Sequence, residues 1–143
     1  MNGTPFIELN GVQKGFDGRP VLTDLSFSVA RGEIVGFIGP NGSGKTTTIR
    51  LLNGVIAPDG GDLAVGGFDP RHDGERVRRM SGVLTESAGL YPHMTGRANL
   101  QFFADLYGVD EPGRPDELLA EFGLADAADR KVGTYSTGMK KRL

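Results

Sequence analysis

The chain has 143 residues, of which 38% are hydrophobic and 24% charged, with a formal net charge of −2 and no cysteine. That composition suits one soluble globular domain or part of one, excludes disulfides, thiol catalysis and cysteine-based metal sites, and supplies no overall basic field to draw in nucleic acid. No apolar run approaches the ~20 residues needed to cross a bilayer, and Met1 to Pro5 has neither the charged start nor the apolar stretch of a signal peptide.

The first third is strand-rich. Phe6-Ile7-Glu8-Leu9 alternates, Lys14 to Pro20 reads as a turn, and Leu25, Phe27 and Val29 share one face of a second strand. Arg31-Gly32-Glu33 is a tight turn into the apolar run Ile34-Val35-Gly36-Phe37-Ile38, which predicts a strand. A helix from Lys45 is expected to stop near Asn53-Gly54, with Pro58 just beyond. Gly60 to Gly67 predicts a short strand between turns. Glu75 to Met80 suggests a short helix, and Gly82 to Thr85 a short buried strand. Thr95 can cap a helix over Arg97 to Tyr107, with Leu100, Phe103, Ala104 and Tyr107 on one face and Gly108 closing it. Pro115 to Phe122 repeats that pattern, with Gly123 as its stop. A last helix begins near Gly138 or Met139. The basic clusters Arg76 to Arg79 and Lys140 to Arg142 read as solvated helix faces. His72 and His93 lie far apart, so no histidine metal site is expected.

One motif carries chemistry outright. Gly39-Pro40-Asn41-Gly42-Ser43-Gly44-Lys45-Thr46 follows the apolar run and opens a helix that continues through Thr47. This is the G-x-x-x-x-G-K-[ST] phosphate-binding loop in the order strand, glycine-rich turn, helix. Glycines let successive N–H groups aim at one point, and the helix start adds its positive dipole end. The Lys45 ammonium can reach β- and γ-phosphates, and the Thr46 hydroxyl can ligate Mg²⁺.

Three further features accompany the loop. Phe16 lies 23 residues before Gly39. Val83-Leu84-Thr85-Glu86 precedes Gly89-Leu90-Tyr91-Pro92-His93-Met94-Thr95 and Asn99-Leu100. Tyr135-Ser136-Thr137-Gly138-Met139 leads into Lys140-Lys141-Arg142-Leu143. On these residues the chain resembles the ATP-binding subunit of ABC transporters, in the variant found among ABC-2-type and drug-export subunits. The resemblance covers essentially the whole chain. It implies an α/β P-loop ATPase fold with an N-terminal antiparallel β subdomain, a helical subdomain and an incomplete core sheet. The implied division is about 1–85 for the ATP-binding core and β subdomain, about 86–138 for the helical subdomain, and 135–143 for the start of the signature helix.

The same resemblance implies the roles. Phe16 stacks on adenine, residues 39–47 hold the phosphates, and Thr46 with Glu86 faces Mg²⁺. Glu86 stands where the family usually has glutamine. Ionised, it offers oxygens to a hard cation but no hydrogen to donate. Ser136, Thr137, Gly138 and Met139 serve the γ-phosphate held by a second ATP-binding subunit in a head-to-tail dimer. A transmembrane permease is the other expected partner, with no nucleic acid. The implied location is the cytoplasm, at the inner face of the membrane through the permease. The family's Asp-Glu pair after an apolar strand, and its switch histidine, have no match here, so the chain is expected to be the first part of an ATPase domain, inactive alone. A soluble ABC-type ATPase acting on ribosomes or nucleic acid, and an inactive nucleotide-binding remnant, stay open as alternatives. A GTPase is disfavoured because N-K-x-D is absent.

Overall fold

Alternation in the first thirty residues builds a hairpin. Strand β1 (Ile7–Phe16) pairs antiparallel with β2 (Arg19–Val29). The turn expected over residues 14–20 shrinks to Asp17-Gly18, at φ 50° and 74°. Left-handed conformations at both central residues match the right-handed twist of the flanking strands, so the strands run up to the turn itself. The structure, a computed structural model, describes residues 4–85 and 89–143. It divides into two compact units, Met1–Gly82 and Val83–Leu143.

In the first unit β3 (Gly60–Val65) adds to the free side of β1, giving the order β2-β1-β3. Register sets Leu9 opposite Phe27 on one side and Leu63 on the other. The ladder shifts register between Leu9 and Val12, and this turns Val12 inward beside Leu9. Helix α1 (Lys45–Leu52) is half β-branched, so intrinsic propensity does little for it. It stands on packing: Leu51 and Leu52 join Leu9, Val12, Leu22, Leu63 and Val65 in one core. Each such side chain contributes about 1.5–3 kcal/mol by leaving water. Helix α2 (Pro70–Met80) starts five residues before the expected position. Asp69 caps it by accepting a hydrogen bond from the Arg71 N–H, and Pro70 takes the first position, where its missing N–H costs nothing. Val77 anchors α2 to the core.

Two expected strands do not form among the described residues. Ile34 to Ile38 has no ladder partner, and Ile34 and Ile38 are each 98% exposed. A run that is apolar on both faces needs parallel neighbours on both sides, and the three-stranded antiparallel sheet supplies none. Phe37 lies edge-on to Phe27 with ring centroids 5.2 Å apart. Gly82 to Thr85 is likewise outside any strand, with Val83 and Leu84 exposed.

The second unit is helical. It holds α3 (Gly96–Tyr107), α4 (Arg114–Glu121), two 3₁₀ turns at Ala125–Ala127 and Val132–Thr134, and α5 (Thr137–Arg142). Its core is Leu119, Leu124, Ala127, Ala128, Val132 and Tyr135. Thr95 caps α3 through the Ala98 N–H and Gly108 closes it at φ 67°. The expected apolar face of α3 is not a buried seam. Leu100, Phe103, Ala104 and Tyr107 line a half-open groove of about 210 Å³ shared with α4, and Tyr107 is exposed.

Candidate functional site

The loop ahead of α1 has the geometry that its glycines permit. Gly42 and Gly44 take φ of 84° and 88°. Gly44 is the N-cap of α1, and no side chain caps that helix. The N–H groups of residues 44–47 therefore have no partner among the described residues. Four donors converge at the positive end of a helix, which is the arrangement that binds an anion. The Lys45 ammonium folds back into the loop and donates to the carbonyls of Gly39 at 2.6 Å and Pro40 at 2.7 Å. Asn41, Gly42 and Ser43 are exposed, and the Ser43 N–H donates to the Pro40 carbonyl at 3.3 Å. Thr48 pins the base of the loop, donating through both its N–H and its hydroxyl to the Gly44 carbonyl.

Leu22 supports the loop from beneath. A Cβ on Gly44 would stand 2.5 Å from Leu22 Cδ2. Glycine is thus required twice at this position, by the left-handed backbone and by the close approach. The exposed Thr46 hydroxyl has no hydrogen-bond partner among the described residues. As one hard oxygen at the mouth of an anion cradle, it fits a Mg²⁺ whose other ligands are waters and phosphate oxygens. The described residues hold no group of three or more histidines, cysteines or carboxylates that could bind a metal without such help.

Phe16 sits at the end of β1 and is 44% exposed. Beside it lies a cavity of about 300 Å³ lined by residues that include Lys14, Arg19, Thr23 and Asp59. Asp59 is held well below the ordinary aspartate value of 3.8, first by the hydrogen bond from Lys14 and then by the Gly15 N–H. Neither Lys14 nor Asp59 was flagged by a motif, and the partners are 45 residues apart in sequence. Glu86 lies outside the described residues.

In the second unit Ser136 caps α5, its hydroxyl oxygen accepting from the Met139 N–H at 3.2 Å. Thr137 and Gly138 are exposed and Met139 is half-buried. Tyr135, next to Ser136, is buried and donates its hydroxyl to the Ala127 carbonyl at 2.6 Å. Burial raises its pKa above the ordinary phenol value of 10.0. The segment leading to Ser136 is stitched to residues 92–97. Gly96 N–H donates to Arg130, Arg97 N–H to Ala128, Val132 N–H to Met94 and Gly133 N–H to Pro92. Arg97 adds ion pairs to Asp116 and Asp129. Asn99, fully buried, closes the turn ahead of α3. Its Oδ1 accepts from Tyr91 N–H at 2.8 Å, and its Nδ2 donates to the carbonyls of Tyr91 and Thr95.

The sequence profile of the family described as ABC transporter matches residues 22–143, which spans the phosphate loop and the Ser136 cap alike. The chain belongs to the ABC transporter family. It is 37% identical over 139 residues to the uncharacterized ABC transporter ATP-binding protein YdbJ of Bacillus subtilis, covering 97% of this chain and 45% of that protein. It is 39% identical over 142 residues to the doxorubicin resistance ATP-binding protein DrrA of Mycobacterium tuberculosis, covering 96% and 43%. A solved structure of an ATP-binding subunit of an ABC transporter superposes with a TM-score of 0.80 at 33% identity, covering 96% of this chain and 58% of that one. The chain thus spans a little under half the length of these curated relatives. The family assignment and the solved neighbour agree with the α/β P-loop ATPase fold expected from the motifs.

Proposed function

We propose that the chain is the nucleotide-binding part of an ABC transporter's ATP-binding subunit, and that the complete protein hydrolyses ATP to drive export. The carrying observation is the loop at residues 39–47, where four unpartnered N–H groups and the Lys45 ammonium converge at the start of α1. An incoming phosphate replaces the Gly39 and Pro40 carbonyls as the ammonium's acceptor, exchanging neutral partners for a charged one. Thr46, with Glu86, would offer oxygens to Mg²⁺, which would supply positive charge against the phosphates. The Phe16 ring supplies a face for the nucleobase.

The Ser136 geometry supports a second role. Its oxygen already accepts from Met139 N–H, and its own O–H has no acceptor among the described residues. A γ-phosphate held by a second ATP-binding subunit is the acceptor that the motif implies, and Thr137, Gly138 and Met139 complete that edge. Export as the direction draws on the motif variant and on the drug-resistance names of two relatives. A membrane permease is the partner through which the protein would act at the inner face; among the described residues no helix is long and apolar enough to cross a membrane. Within these 143 residues no apolar run ending in Asp-Glu follows the loop. We therefore assign this stretch nucleotide binding.

Calorimetric titration of the complete subunit with Mg-ATP tests the reading. Lys45→Ala removes a charge-assisted contact of about 1.5–3 kcal/mol, so affinity falls at least tenfold. Thr46→Ala leaves metal-free ATP binding in place and removes most of the gain from added Mg²⁺. Unchanged ATP affinity in Lys45→Ala would refute the assignment.

A further inference from the structure

Asp59 grips the end of the strand that carries Phe16 at three consecutive residues. Its N–H donates to the Gln13 carbonyl at 2.9 Å. Its Oδ1 accepts from Lys14 Nζ at 2.7 Å and its Oδ2 from the Gly15 N–H at 2.7 Å. This is where β1 loses regular pairing, with register shifts between Val12 and Lys14 and between Lys14 and Gly15. The carboxylate replaces ladder bonds that the irregular strand end lacks. Clamped this way, the mostly buried Lys14 side chain sets its ammonium over the Phe16 ring, 5.4 Å from the centroid. Phe16 remains 44% exposed. Asp59 also lies seven residues after the end of α1, so one short connection ties the ring to the helix of the phosphate loop.

We propose that Lys14 and Asp59 are positioning residues for the nucleobase of a bound nucleoside triphosphate. The cation holds one face of Phe16, fixes its orientation and draws its π-electrons, while the opposite face receives the base. This rests on the nucleotide-binding reading of residues 39–47 with Phe16 at the base, and adds the two residues that orient the ring. An ordinary exposed ion pair would contribute little. Here both carboxylate oxygens and the adjoining N–H are engaged, and the ammonium has a second partner in the ring.

The test compares two ligands on the complete subunit, ATP and inorganic tripolyphosphate, by calorimetric titration. Tripolyphosphate reads the phosphate cradle alone, and ATP reads cradle and ring together. Lys14→Met should weaken ATP about two- to fivefold and leave tripolyphosphate unchanged. Lys14→Arg should restore ATP binding. In a Phe16→Ala background, Lys14→Met should have no further effect, because the lysine acts through the ring. If Lys14→Met does not fold, Asp59→Asn carries the same comparison. It frees the ammonium while an amide oxygen remains for the Gly15 N–H. Equal weakening of both ligands, or of neither, overturns the proposal. Wild-type protein that ignores tripolyphosphate, or a Lys45→Ala variant that binds it normally, would instead remove the phosphate cradle and the inference with it.

Discussion

A methyl group on Gly96 collides with one atom. Gly96 opens α3 with ordinary helical geometry, so its backbone does not require glycine. Space does: a Cβ there would stand 2.3 Å from Tyr135 Oη and 3.2 Å from Tyr135 Cζ. The hydroxyl must move by about 1 Å to reach ordinary contact, and it is fixed by its bond to Ala127. Overpacking of this kind costs about 1–3 kcal/mol, against a few tenths regained from alanine's helix preference. Gly96→Ala should therefore destabilise the protein by about 1–2 kcal/mol. Tyr135→Phe removes the colliding oxygen and its hydrogen bond, at about 1 kcal/mol. Together the two changes should cost clearly less than their sum, with a coupling of about 1 kcal/mol. Urea denaturation of the wild type, both single variants and the double variant gives the four numbers. Strict additivity would refute the reasoning, because the cost of the methyl group would not then come from the phenol oxygen.

Three further outcomes follow from the same geometry. Gly44→Ala imposes a left-handed backbone on alanine and drives a methyl into Leu22; we expect a loss of about 2–4 kcal/mol, read as a lower urea midpoint, and weaker tripolyphosphate binding in calorimetry. Asn99→Ala leaves the Tyr91 N–H without its acceptor and takes one of two donors from the Tyr91 and Thr95 carbonyls, and should cost about 1–3 kcal/mol. Amide exchange at Tyr91 should quicken. Asp59, Asp69 and Asp129 are each held below 3.8, first by side-chain hydrogen bonds from Lys14, Arg71 and Arg97 respectively. A folded-state pKa below the unfolded one contributes stability that is present above about pH 4 and lost as pH falls through the depressed values. The melting temperature should therefore fall on acidification below about pH 4, and Asp129→Asn should make that fall shallower.

The legible parts were those whose chemistry is local. Residues 14–20 announce a turn, which the structure narrows to Asp17-Gly18, Thr95 and Gly108 mark the ends of α3, and Gly39 to Thr46 carries the glycine spacing of a phosphate loop. Ile34 to Ile38 failed as a strand for the opposite reason. A strand's hydrogen bonds belong to its neighbours, and apolar character within the run cannot show whether those neighbours exist. Helical periodicity placed Leu100, Phe103, Ala104 and Tyr107 on one face of α3, but it gives a side chain's direction and not what lies beyond it, so the exposure of Tyr107 came only with the structure.

The sequence by itself determined the phosphate-loop motif, the other short motifs that carry the family resemblance, and the caps of α3, because each rests on residues within a few positions of one another. Only the tertiary structure decided that Asp59 reaches back to Gln13, Lys14 and Gly15, that Leu22 forbids a side chain at Gly44, and that Gly96 makes room for Tyr135. Those contacts join residues from 22 to 46 positions apart, and no short spacing encodes them. They arise when the sheet and helices pack, which brings a carboxylate to an irregular strand end and a phenol to a bare Cα.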